Sequence, residues 1–339
     1  MIVRKNIFTY LALLVITASP FLRSQLLEDK RQHTLLLRGI DLTLQQEYDS
    51  AETVFKTIIA EFPQHPAGYL YLAGMLQTKN TDYGDPFNGK RYDSLLDAVE
   101  ELSKKFISNA RYVSFGYYYT GSAEAFRSYT KSENGNLPSG IFYGLSAGAS
   151  LERCVELDSN FTEAKNILGS FYFWRSKMAW IPFIPDRTEE GIRLIIESFS
   201  HPYEKHLASH NLMVIFIEQK RYADAEKYGR IMLKEYPDNR LFLWNMMTVY
   251  EQWNKKKELN IIVARLLKST INSSVINRYT EAVCRLKLAQ NAIAENNIKS
   301  AREELTQVTG LRKYIGTTRS DLKKKISQAE SLLKNIEQR

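Results

Sequence analysis

The chain has 339 residues, of which 44% are hydrophobic and 25% are charged. This composition excludes disorder throughout, and the low counts of glycine (16) and proline (9) favour helices over a β-sandwich. The length fits two ordinary domains or one elongated repeat array. The net charge of +8 is concentrated after residue 250, where 18 Lys and Arg stand against 9 Asp and Glu.

The N-terminus has the organisation of a targeting segment. Arg4 and Lys5 precede the uncharged run Ile7–Ala18, and Ser19 and Pro20 follow it. This order is typical of a secretory signal, and the run is shorter than the ~20 apolar residues that a membrane span needs. We expect residues 1–24 to be a signal peptide or an N-terminal anchor. The expected location is the periplasm, and the alternative is an inner-membrane protein with an uncleaved anchor.

A short helix that ends in proline recurs along the chain, and its clearest copy is Lys220–Asn239. Ala225, Gly229 and Met232 lie on one stripe of this helix. Pro237 ends it, because proline cannot continue the hydrogen-bond ladder. The small residues on the stripe predict the close approach of a neighbouring helix.

Another copy lies near the N-terminus, where Gly39, Ala51, Phe55 and Pro63 follow one another at spacings of 12, 4 and 8. A third includes Gly169. The pattern resembles the tetratricopeptide repeat (TPR), in which small residues, an A-x₃-F pair and a proline recur within ~34 residues. The resemblance implies an all-α protein, a right-handed α-solenoid of about seven TPR-like helix pairs with a C-terminal capping helix. The solenoid is expected over residues 25–310, and the basic capping helix over 311–339.

Three insertions depart from the regular repeat length. They are Asn80–Tyr92, Thr130–Pro138 and Met178–Arg187. Loops inside a regular repeat are short, so lengthened ones are more often functional than structural.

Aromatic residues are densest in Tyr112–Tyr119 and Phe171–Trp180. In TPR proteins the first helix of each pair lines a concave groove that takes peptides or helices. The resemblance therefore implies a partner-binding surface made of Val113, Tyr117, Asn166, Ser170, Phe173, Trp174, Arg175 and Trp180. Aromatic residues beside arginine are frequent energetic centres of interfaces. The alternative is that Trp174 and Trp180 pack the 178–187 insertion onto the solenoid.

The sequence predicts no catalytic residue, no cofactor and no metal site. It contains no glycine-rich phosphate loop and no nucleophile elbow. His206 and His210 have the i, i+4 spacing of paired metal ligands, but no third ligand follows at helical spacing. We interpret His201, His206 and His210 as surface histidines near a helix start.

These patterns predict an exported TPR scaffold that binds a protein or peptide through its concave face. The alternative is a periplasmic ligand-binding component of a transporter or of an envelope polysaccharide system. The basic C-terminus, densest at Lys323–Lys325, predicts either contact with an anionic surface or a solvated helix face. Nucleic acid is not an expected partner, because the basic excess accompanies an export signal.

Cys154 and Cys284 are expected to be buried free thiols. An exported protein permits a disulfide, but each repeat of a solenoid contacts only its neighbours. Two cysteines several repeats apart could then not approach within the ~7 Å that a bridge requires.

Overall fold

The computed structural model describes residues 27–84, 89–316 and 321–338. Within these ranges the chain forms fifteen α-helices and a short 3₁₀ helix, Gly310–Tyr314, and it forms no strand. The α-helices are α1 Lys30–Leu44, α2 Tyr48–Glu61, α3 Ala67–Tyr83, α4 Gly89–Ile107, α5 Val113–Glu133, α6 Leu137–Leu157, α7 Thr162–Ser176, α8 Thr188–Ser198, α9 Lys205–Glu218, α10 Tyr222–Glu235, α11 Arg240–Gln252, α12 Lys256–Ile271, α13 Arg278–Ala294, α14 Ile298–Thr309 and α15 Leu322–Glu337.

The helices pack in consecutive pairs, from α1 with α2 to α13 with α14, and α15 covers the last pair. Small residues allow the two helices of a pair to approach closely. A Cβ atom on Gly39 would lie 2.4 Å from the Phe55 ring, and one on Gly169 would lie 2.4 Å from the Gly191 carbonyl oxygen. The predicted array of about seven helix pairs with a C-terminal capping helix is therefore confirmed.

The two helices of most pairs are joined by the same tight turn. In five pairs the residue after the helix C-cap has a positive φ, and the next amide donates back to a carbonyl in the last turn of the first helix. This is the hydrogen bond of a Schellman motif. The residues with positive φ in these turns are Gln46, Gly135, Lys220, Asn254 and Asn296. Four of the five are not glycine, so composition gives little sign of the turn.

The three insertions differ in the structure. Met178–Arg187 forms a loop, as predicted, between α7 and α8. The expectation that Thr130–Pro138 is an extended loop is wrong. The extra residues continue α5 and α6, which are 21 residues long each and joined by the short turn. In the insertion Asn80–Tyr92, residues 80–83 belong to α3 and residues 89–92 belong to α4. Residues 85–88 lie outside the described ranges.

The array is curved, so that its first two helix pairs contact the loops that precede α11 and α13. The Asp82 carboxylate accepts hydrogen bonds from Tyr48 Oη at 2.9 Å and from Arg240 Nε at 2.6 Å. Asn239 Nδ2 donates to the Leu44 carbonyl at 2.8 Å, and Asn277 Nδ2 donates to the Asp82 carbonyl at 2.9 Å. The expectation that each repeat contacts only its neighbours is therefore wrong. We call this set of contacts the closure.

Cys154 and Cys284 are buried free thiols, as predicted. Burial raises the pKa of both thiols well above the ordinary value, which keeps them protonated and poorly reactive. No helix in the described ranges is long and apolar enough to cross a membrane.

Candidate functional site

Helix α7 carries five of the predicted partner-binding residues, and the structure separates them into buried and accessible groups. Asn166 and Phe173 have 0% and 1% of their surface exposed, whereas Trp174 is 47% exposed. The Trp174 ring contacts the Phe173 ring edge-on, with centroids 5.0 Å apart. The buried phenyl ring thus fixes the helix turn from which the indole projects.

The polar and basic members of the set have local partners. Ser170 Oγ donates to the Asn166 carbonyl at 3.1 Å, one helical turn earlier. The Arg175 guanidinium lies over the Phe171 ring, 5.8 Å from its centroid. Trp180 stands apart on the 178–187 loop and is 81% exposed. Trp174 and Arg175 therefore lie at the C-terminal end of α7, and Trp180 lies on the loop that follows it.

The other two predicted residues lie on α5, where glycine contacts define the helix register. A Cβ atom on Gly116 would meet Ile107 of the preceding helix, and one on Gly121 would meet Leu151 of the paired helix α6. Gly121 therefore corresponds to Gly169 of α7. The counterpart of Asn166 is Tyr118, which is 2% exposed.

Val113 and Tyr117 therefore do not occupy the positions of α5 that correspond to the predicted groove-lining positions of α7. Both are half-buried, and Tyr117 interacts with Arg153 of α6. Their contact with a partner stays a prediction, as it does for the α7 residues.

The N-terminal half of α7 faces a buried polar centre that the sequence pattern missed. The segment 201–204 between α8 and α9 enters this centre, where His201 Nε2 lies 3.2 Å from Glu163 Oε1. Asn166 Nδ2 donates to Glu204 Oε2 at 2.8 Å, and Asn211 Nδ2 donates to Asn166 Oδ1 at 3.0 Å. His201 is buried and His206 and His210 are half-buried, so interpreting these three residues as surface histidines is wrong.

Aromatic rings from the first three helix pairs close around the same centre. The Tyr203 ring lies 5.4 Å from His33 of α1 and 6.5 Å from Tyr71 of α3, measured between centroids. Tyr118 and Tyr119 of α5 complete this wall and are buried. The concave face is therefore filled at the N-terminal end of α7. Near the C-terminal end of α7, the side chain of Trp174 is exposed.

The polar centre is strongly desolvated. Burial raises the pKa of Glu204 to about 7, although the hydrogen bond from Asn166 acts in the opposite direction. Desolvation also lowers the pKa of His206 and of His210 to about 4. His210 Nδ1 lies 2.9 Å from Asn245 Nδ2. This ring nitrogen is therefore engaged in a structural contact with α11. In the described ranges, no group of three or more His, Cys, Asp or Glu residues is placed to hold a metal ion.

The C-terminal part has a shallow polar cavity of about 420 Å³ between α13, α14 and the 3₁₀ helix. Arg278 lies over the Tyr314 ring at 4.3 Å and pairs with Glu281 at 2.8 Å. Lys323 and Lys324 are exposed on α15. Contact of this basic region with an anionic surface stays a prediction.

The described chain is a TPR-like α-solenoid of seven stacked helix pairs, with glycine at the crossings of the first, third and fourth pairs. No protein-family model matches the chain, and no curated protein matches it. Among solved structures, one similar protein is PilW, a widely conserved type IV pilus biogenesis factor. It is 12% identical, with a TM-score of 0.42 over 89% of this chain and 99% of that chain.

The TPR domain of P58(IPK) is another similar structure. It is also 12% identical, with a TM-score of 0.27 over 91% of this chain and 100% of that domain. Both TM-scores are below 0.5, so neither protein assigns a function to this chain.

Proposed function

We propose that the protein is an exported scaffold that binds a protein or peptide partner at the C-terminal end of α7. Trp174 is the proposed anchor and Arg175 the adjoining polar contact. The supporting observation is the fixed presentation of the indole. Trp174 is nearly half exposed, while its neighbour Phe173 is buried and holds the helix in place.

The physical argument rests on preorganisation. A tryptophan held by a packed helix loses little conformational freedom on binding, so more of its contact energy appears as affinity. Tryptophan and arginine are enriched among residues that dominate binding energy. Because the polar centre is filled, the proposed partner contacts the C-terminal end of α7, where Trp174 and Arg175 lie.

Export rests on the N-terminal sequence. The basic residues, the short apolar run and the helix-breaking residues that follow are typical of a secretory signal. The proposed periplasmic location rests on the interpretation of this segment as a secretory signal. Fractionation of cells that produce the full chain tests this part, and recovery in the cytoplasm with an intact N-terminus would contradict it.

Affinity capture from an envelope extract tests the binding surface. We expect the wild-type chain to retain a specific protein that the Trp174→Ala, Arg175→Ala variant loses. Ile261→Ala is the matched control, because Ile261 is an exposed apolar residue on α12. Equal retention by all three chains would exclude Trp174 and Arg175 as the anchors.

A further inference from the structure

The turns that join the two helices of the third to the sixth pairs lie along one edge of the array. We call these turns, together with the first two residues of α12, the turn edge; it comprises residues 134–136, 177–187, 219–221 and 253–257. Among the described residues, the two most exposed large apolar side chains lie here: Trp180 is 81% exposed and Phe183 is fully exposed. Phe183 also has a φ of +71°, a conformation that bulky residues rarely adopt. Both the exposure and the backbone geometry are unfavourable for the isolated chain.

Helix α6 adds an uncharged apolar face beside this loop. The segment 137–151 contains no charged residue. Gly140 packs against Ser132 of α5, whereas Ile141, Phe142 and Leu145 are exposed. Arg187 Nη1 pairs with Glu152 Oε1 at 3.1 Å, which places the end of the loop beside α6. Exposed apolar side chains therefore occur on two consecutive helix pairs.

Basic residues follow the apolar surface along the same edge. The turn edge contains seven Lys and Arg against one acidic residue, Asp186. Four of the seven pair with carboxylates of the flanking helices, and the three that have no ion pair among the described residues are Lys220, Lys256 and Lys257. Successive turns are in contact, because Lys177 Nζ lies 3.0 Å from Glu218 of the next pair and Tyr222 contacts Trp253 of the pair after it. The basic residues are Lys177, Arg187, Lys220, Arg221, Lys255, Lys256 and Lys257.

We propose that the turn edge docks on an anionic lipid bilayer, with Trp180 and Phe183 inserted at the interface. Tryptophan and phenylalanine beside lysine and arginine are the combination that binds an anionic membrane surface. The apolar side chains protrude from a loop rather than line a groove. Protruding side chains suit a fluid interface, which needs no complementary pocket. The inference goes beyond the proposed function and assigns Trp180 to lipid instead of protein.

Binding to vesicles measures the contribution of the protruding residues. The full chain is mixed with phosphatidylcholine vesicles containing roughly 30% phosphatidylglycerol, and the bound fraction is compared with that on phosphatidylcholine alone. Trp180→Ser with Phe183→Ser should weaken binding about tenfold or more, since both side chains leave water in the bound state. Lys256→Gln with Lys257→Gln should weaken binding to the anionic vesicles only. Ile196→Ser, an exposed apolar residue on α8, is the control and should bind as wild type.

A spin label at Phe183→Cys separates the turn edge from the N-terminal apolar run as the cause of binding. The natural cysteines are buried and stay unlabelled under native conditions. In the vesicle-bound chain we expect this label to collide with oxygen, which concentrates in the bilayer. A label at Ile196→Cys should remain accessible to a water-soluble nickel complex. Absence of vesicle binding, or a bound chain in which both labels stay in water, would overturn the proposal. Self-association that Trp180→Ser and Phe183→Ser abolish, without vesicle binding, would overturn it in favour of a second copy.

Discussion

Replacing Asp82 by alanine should destabilise the protein more than any single change at its surface. Asp82 lies in the closure, where its carboxylate accepts from Tyr48 and from two nitrogens of Arg240. Asp82 and Arg240 are only 7% and 11% exposed. The substitution leaves the Arg240 guanidinium buried without its counter-charge, which is the costly way to break an ion pair.

Removal of one partner of a buried pair costs about 3–5 kcal/mol. A chain of 339 residues has an unfolding entropy of about 0.7 kcal/mol/K, at ~2.1 cal/mol/K per residue. The melting temperature should then fall by about 4–7 °C. Arg240→Met in the same chain should recover part of the loss, because the unpaired buried charge is then gone.

Thermal unfolding followed by circular dichroism at the helix band measures this shift. Glu156→Ala is the matched control: it removes an acid that pairs with Arg153 at 3.0 Å, in a pair that is 52% and 63% exposed. Such a surface pair contributes at most about 1 kcal/mol. If Asp82→Ala melts with the control, the closure contributes nothing to stability, and our interpretation of these contacts is wrong.

Three further predictions concern packing, pH and the thiols. Gly169→Ala should destabilise by about 1–3 kcal/mol, because its Cβ would clash with a backbone carbonyl, whereas Gly310→Ala meets nothing within 4 Å and should be neutral in urea unfolding. Burial raises the Glu204 pKa to about 7, so the contribution of Glu204 to stability should fall as pH rises from about 4.3 to about 7, while His206 and His210, with pKa values lowered to about 4, contribute in the opposite direction. Glu204→Gln removes the falling contribution, so the stability of the variant should rise more steeply with pH than that of the wild type; an unchanged pH dependence would contradict the assignment. Cys154 and Cys284 should resist thiol reagents in the native protein and both react after unfolding; labelling of fewer than two in denaturant would exclude free thiols.

The sequence was sufficient to predict the repeat architecture, because that architecture depends on local spacing. Gly39, Ala51 and Phe55 lie within two adjacent helices, and their sizes decide how closely those helices pack. The closure could not be predicted in the same way. It depends on single polar residues such as Asp82 and Arg240, which are 158 positions apart and belong to no motif.

The candidate site was predicted in part, for a similar reason. The spacing that identifies Gly169 also identifies the side of α7 that carries Asn166, but whether that side is open depends on Tyr203 and Glu204 from a distant segment. On α5, two glycines five residues apart allowed two registers, and only the contacts of Gly121 with α6 decide between them. The abrupt run of Trp, Ile, Pro and Phe in the 178–187 loop was visible in the sequence, whereas its exposure was not.

The distance between the first and the sixth helix pairs tests the closure most directly. Spin labels at Glu47→Cys and Asp238→Cys would occupy exposed positions beside Tyr48 and Asn239, which belong to the closure. We expect pulsed electron–electron double resonance to give one short, narrow distance in the wild-type background and a broader one with Asp82→Ala. An uncurled array would separate these positions by about 40–50 Å, at 8–10 Å for each successive pair. A distance of that length in the wild-type chain would show that the array is open and that its concave face is not filled.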